Sequence, residues 1–204
     1  MKQIDSAITI IEDTAKLLVS YPEQVRAQTA TGEASATVAL RCHGQDIKKL
    51  VGSGGVMHKA IRKLADRMGA MVGIDLQYER VVETGAGAIP LPSGNQRSYV
   101  ARENWPQGLI LSSVERTATA IFGPHRVVKL VNGNSSSVIE ILLPAEMVDP
   151  QDRVELQDAL DRVFHGIGRA QGRLLSVKVA ETFDLEVDEQ PRTADGRYVK
   201  ERGR

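Results

Sequence analysis

The residues with the clearest chemical potential in this 204-residue chain are four in a row, Gly52-Ser53-Gly54-Gly55. They join two helical-looking pieces, and Lys48, Lys49, His58, Lys59 and Arg62 stand within a few positions of them. From Asp46 to Arg67 there are six Lys or Arg against two Asp, a local excess of four in a chain of zero formal net charge. Glycines lack a Cβ and let another backbone approach closely. The free N–H groups and positive dipole end of a following helix attract an anion. Flanking cations add to that attraction, so the chemistry these residues offer is recognition of a phosphate.

Three kinds of glycine loop fit a phosphate. A P-loop carries a lysine and a Ser or Thr directly after its last glycine; here Val56 and Met57 follow. A dinucleotide loop leaves a strand and opens a helix in a parallel unit, but Ile47, Leu50 and Val51 before Gly52 have helical spacing. The third, helix, Gly-x-x-Gly, helix, matches the residues present. Lys63 and Arg67 lie opposite the apolar stripe of the second helix and read as solvated charges. His43 beside Cys42 has no further ligand at metal spacing. No catalytic constellation stands out, so neither an enzyme, a metal nor a cofactor is expected.

The elements that must position the loop follow from periodicity. Ile8, Ile11, Ala15 and Leu18 make a helical stripe that should stop at "SYP", because the residue before a proline resists the helical region. Ala36, Val38 and Leu40 alternate, giving two strands around a turn near Gly32. Met57, Ile61, Leu64 and Met68 form a second stripe, and "GIDLQYERVV" closes the unit as a strand. Residues 84–103, rich in Gly, Pro and Ser, read as a linker. The grammar then restarts. Leu111, Val114, Ala118 and Ile121 repeat the first stripe, strands flank Asn132-Gly133, and Leu156, Leu160, Val163 and Ile167 repeat the second. This is a repeat of pattern. Aligning Ala60–Leu64 with Ala159–Val163 sets the glycine loop opposite Gln151-Asp152-Arg153-Val154, so the second unit has the frame without the loop. Arg162, Arg169 and Arg173 lie among Asp158, Asp161 and Glu155 and read as solvated surface. Residues 183–204 mix charges without a stripe and read as a disordered tail.

The stretch "HGQDIKKLVGSGGVMHKAIRKLADRMGAMVGIDLQY" resembles the bacterial small KH RNA-binding proteins, the KhpA-like family, and residues 6–82 follow their type II order. Asp46, Leu50, Val51, Gly52, Gly55, Ala60, Ile61, Arg62 and Leu64 carry the match. The resemblance implies an α+β fold of two KH-like units, each a three-stranded sheet with helices packed on one face: residues 1–83 with the loop and residues 104–182 without it. It implies single-stranded RNA held at Gly52, Ser53, Gly54 and Gly55, with Lys48, Lys49, His58, Lys59 and Arg62 around it. Implied partners are RNA and another KH protein or a second copy of the chain. The chain departs from the family where loops usually carry a basic residue inside Gly-x-x-Gly and another just after it: Ser53, Gly54 and Val56 stand there.

Composition limits the alternatives. A single cysteine excludes an internal disulfide, and no apolar run reaches membrane-spanning length. The opening residues turn acidic where a signal peptide would be apolar, so a reduced, cytoplasmic protein is expected. Aromatic residues are 4% of the chain, too few for a base-stacking platform. The competing reading is an assembly scaffold that uses the KH frame with little RNA affinity.

Overall fold

The computed structural model describes residues 2–32, 34–83, 107–124, 126–132, 136–144 and 149–182. The linker and tail expected at 84–103 and 183–204, and Gly133 of the second hairpin turn, lie outside the described residues.

Helix α1 (Lys2–Leu18) buries Ile11, Ala15 and Leu18 of its stripe together with Ala7 and Ile10. It ends ahead of Pro22, which opens a single 3-10 turn. Strands β1 (Arg26–Thr31) and β2 (Ser35–Cys42) pair antiparallel, from Arg26 opposite Arg41 to Thr31 opposite Ala36. Ala36, Val38, Leu40 and Cys42 alternate into the core. Helices α2 (Ile47–Val51) and α3 (Val56–Met71) cross over to β3 (Asp75–Glu83), which runs parallel to β2 and completes the order β1-β2-β3. A parallel pair requires such a crossover, and helices supply it.

The second unit repeats this plan. Helix α4 (Gln107–Phe122) precedes antiparallel strands β4 (Val127–Asn132) and β5 (Ser136–Pro144). One long helix, α5 (Pro150–Ala170), crosses to β6 (Leu174–Thr182), parallel to β5. Asp149 caps α5 by accepting from the Gln151 N–H at 2.8 Å. Residues 151–154 are therefore helical where the first unit has its loop.

A shared turn ties the two units together in design. Gly69 and Gly168 are buried near the ends of α3 and α5, and Gly73 and Gly172 follow with φ of 71° and 72°. The chain returns on the buried glycine in both: Ile74 N–H donates to the Gly69 carbonyl at 2.9 Å, and Arg173 N–H to the Gly168 carbonyl at 2.8 Å. A Cβ on Gly69 would lie 2.5 Å from the Ile74 oxygen, and one on Gly168 would lie 2.7 Å from the Arg173 oxygen. Helix and strand touch backbone to backbone at these points.

The helical layers of the two units pack on each other, and their buried side chains form one continuous core. Helix α3 lies on α5 and α1 on α4, while α1 also touches α5 as α4 touches α3. Exchanging the units maps this set onto itself, which is the mark of an approximate two-fold relation. Met57, early in α3, meets Gly166, late in α5; a Cβ on Gly166 would stand 2.5 Å from Met57 Cε and 3.0 Å from Leu18 Cδ2. Late in α3, Arg67 donates to the Ile121 carbonyl at 3.2 Å and pairs with Asp152, early in α5, at 3.7 Å. The two helices therefore run antiparallel. Lys63 pairs with Glu155, Arg116 with Asp13 at 3.0 Å, and Gln171 donates to the Leu17 carbonyl at 3.4 Å. This corrects the reading of Lys63 and Arg67 as solvated charges: their stripe faces the second unit. Partly exposed pairs of this kind contribute little each, so apolar burial carries the docking.

Gly69→Ala and Gly168→Ala should each destabilise by about 1–3 kcal/mol, the usual cost of overpacking. In urea unfolding followed by circular dichroism, both should shift one common transition. Separate transitions, with only one moved by each substitution, would show that docking does not couple the units.

Candidate nucleic-acid interface

The loop is placed by a buried carboxylate. Asp46, fully buried at the start of α2, accepts from Ser20 N–H at 3.0 and 3.1 Å and from Tyr21 N–H at 3.0 Å. Lys49 pairs with it at 2.8 Å and also contacts the Ser20 hydroxyl. The exit of α1 is thereby fastened to α2, which leads directly into the glycines. Buried polar groups are tolerated when they are so satisfied.

Helix α2 closes with Gly52 N–H donating to the Lys48 carbonyl at 2.9 Å. Gly52 (φ 74°), Gly54 (φ 59°) and Gly55 (φ 76°) all take the left-handed region that glycine favours. At Gly52 a Cβ would also strike the Met57 nitrogen at 2.7 Å. At Gly54 and Gly55 an added Cβ would meet nothing within 4 Å. The first position fixes the turn, and the other two leave an open approach. Gly55 is the N-cap of α3 and offers no side chain to cap it, so the first N–H groups of α3 point out unclaimed by any side chain.

The expected cations divide into two kinds. Lys48, Lys59 and Arg62 are exposed and form no ion pair among the described residues. Lys49 is engaged by Asp46. His58 lies against Tyr78, ring centroids 4.9 Å apart. Burial, and then the Arg62 cation, holds its imidazole below the usual 6.5; at neutral pH it presents no positive charge. Along the groove, Leu50 and Val38 are core, while Ile47 and Val51 reach the surface in part. A bulge in β3 between the partners of Val38 and Ala39 sets Val81, and not Arg80, opposite Leu40. It keeps an apolar residue on the helix-facing side of the edge strand. The Cys42 thiol is buried, and burial, then Asp46 and Glu83, push it up to about 11. Among the described residues no group of three metal-ligating side chains gathers, and no helix is long and apolar enough to cross a membrane.

Two tests follow from this geometry. Asp46→Ala should cost about 1–3 kcal/mol, since it removes a fully buried side chain and the acceptor of the Ser20 and Tyr21 N–H groups; Asp46→Asn should cost less. Urea denaturation measures both. For His58 the unfolded chain takes up a proton before the folded one does, so stability is full above about pH 6.5 and falls as pH drops through that value. His58→Gln should remove this part of the pH–stability curve, and an unchanged curve would sink the assignment.

The family described as "KhpA/KhpB, KH domain" matches residues 9–79, from within α1 into β3. The RNA-binding protein KhpA of Borreliella burgdorferi is 32% identical over 79 residues, 39% of this chain and 96% of that relative. The RNA-binding protein KhpA of Clostridium acetobutylicum is 38% identical over 53 residues, 26% of this chain and 71% of that relative. No solved structure matches the chain. With nearly the whole of one relative covered at 32% identity and the family matching the unit that carries the loop, the chain belongs to the KhpA/KhpB KH-domain family.

Proposed function

We propose that the chain is a cytoplasmic RNA-binding protein that holds single-stranded RNA at Gly52-Ser53-Gly54-Gly55. The relatives named as RNA-binding proteins support the general reading. The observation that carries the site is the open space over Gly54 and Gly55 at the side-chain-uncapped start of α3. A phosphodiester fits there with its oxygens on backbone N–H groups. Ser53 adds one hydroxyl donor, and Lys48, Lys59 and Arg62 add charge. Ile47 and Val51 offer apolar contact to sugar or base. With Tyr78 buried and aromatic residues only 4% of the chain, stacking contributes little, so sequence preference is modest. The family is one of binding proteins and not of enzymes, and the proposed role is binding.

The second unit arises in this reading from duplication of the first. The matching element order, strand pairing and glycine turns support that origin. Its packing takes up the helix face of the first unit, so self-association or a further KH partner would need another surface. An assembly scaffold is the second reading, favoured by exposed Val127, Val131 and Leu174 on the strands of the second unit.

Ser53→Asp with Gly54→Asp places negative charge where the phosphate must sit. Aspartate is among the side chains that visit the left-handed region, so the fold should survive. RNA affinity should drop at least tenfold, about 1.4 kcal/mol. Lys63→Ala, which loses a contact to the second unit, should leave affinity unchanged. Gel-shift titration with circular dichroism as the fold control decides between the readings: the scaffold predicts weak binding that the loop change does not touch.

A further inference from the structure

The loop lacks the two cations its relatives were expected to carry, while helix α5 of the second unit, which packs on α3, carries arginines at 162 and 169. With Ala60 aligned on Ala159, Arg67 falls on Gly166, Lys63 on Arg162, Val56 on Glu155 and Ser53 on Asp152. With the first stripes aligned, Leu18 falls on Ile121 and Asp13 on Arg116. The cross-unit contacts obey this correspondence. Arg67 reaches Ile121, and the added Cβ of Gly166 meets Leu18, which are the two halves of one exchange. Asp13 pairs with Arg116, its own counterpart, as positions on a two-fold axis do.

The two halves of the interface can therefore be read against each other. In one half Lys63 reaches Glu155 and Arg67 reaches Asp152. The other half departs from this pattern: Gly166 meets Met57 and Leu18, and Arg162 and Arg169 stand about one turn to either side of Gly166 on α5. Met57 is the second residue after the glycine loop, so the turns of α5 that carry Arg162 and Arg169 flank the start of α3. Gly166 has no side chain to fill its place, and Arg169, one turn further along α5, continues towards the level of the loop because the helices are antiparallel. Arg169 is exposed and has no ion pair among the described residues; Arg162 is 46% exposed and paired only with exposed Asp158 at 2.7 Å.

We infer that Arg162 and Arg169 of the second unit form part of the RNA site of the first, supplying from α5 the positive charge missing from Ser53, Gly54 and Val56. The inference rests on the RNA-binding reading above. The loop-less unit is then a wall of the site: unable to cradle a phosphate itself, it contacts the backbone of a strand cradled by its neighbour. Guanidinium groups suit this, being always charged and able to contact a phosphate in two places.

The test uses the full chain and a short fluorescein-labelled oligouridylate in anisotropy titrations across salt. Arg162→Gln with Arg169→Gln should weaken binding about fivefold near 0.1 M salt. The slope of log affinity against log salt should flatten by about 0.7–1.4, one or two single-strand phosphate contacts. Asp158→Asn, which releases Arg162, should strengthen binding, an effect no purely structural role produces. Lys129→Gln with Lys178→Gln, on the sheet of the second unit, is the control for diffuse charge. If the arginine pair binds as the unaltered chain does while Ser53→Asp with Gly54→Asp abolishes binding, the inference fails and the RNA reading stands. If the loop change has no effect either, the RNA reading itself fails. Equal losses from the arginine pair and the lysine control would also overturn the inference, since the charge would then act without a site.

Discussion

The close packing of α3 on α5 is the contact on which the rest of the molecule depends. Gly166 favours it, since a Cβ there would push on the ends of the Met57 and Leu18 side chains. Through it the second apolar flank of each helix is covered, and two small three-stranded units, each marginal in buried area, share one core. The same contact orders the charges of α3. Lys63 and Arg67 turn towards the second unit, while Lys59 and Arg62 stay open to solvent. One helix thus serves assembly along one edge and keeps unpaired cations along another.

Differences between the two units make the pairing directional. Where a pair of identical first units would set Asp13 against Asp13, the chain sets it against Arg116. Where identical units would bring Arg67 against Leu18, the chain has Gly166. Like charges facing each other cost energy and discriminate against the wrong partner. The second unit therefore fits the first better than the first would fit itself. The absence of a glycine loop and the presence of acidic residues at the start of α5 go together, since Asp152 and Glu155 are what Arg67 and Lys63 meet.

Much of this was legible before the structure. Helical stripes and strand alternation placed the elements because burial and periodicity are local signals. The glycine loop was legible because Gly52, Gly54 and Gly55 each occupy a conformation other residues avoid. Docking was not legible, since an exposed-looking charge such as Arg67 has the same pattern whether it faces water or another helix. The β3 bulge was also hidden; nothing in "LQYERVV" marks which residue is extra. The spacing Gly69 to Gly73 and Gly168 to Gly172, each followed by a buried leucine, was a signal available to inspection. It would have strengthened the case for a repeat and fixed its register. The division of the loop's cations needed coordinates, because only the fold brings Asp46 under Lys49 and Tyr78 under His58.

Joining the two units in one chain changes how their contact responds to dilution. Two separate KH proteins meet at a rate set by their concentrations, and a weak interface between them empties as they are diluted. Here the partner is tethered in the same chain, at an effective concentration on the order of millimolar. An interface too weak to hold two free proteins together at cellular levels is then occupied nearly all the time. Its stability is an intramolecular constant, indifferent to expression level. Tethering also relaxes the demand on the interface itself, so a smaller apolar surface suffices here than a free dimer would need.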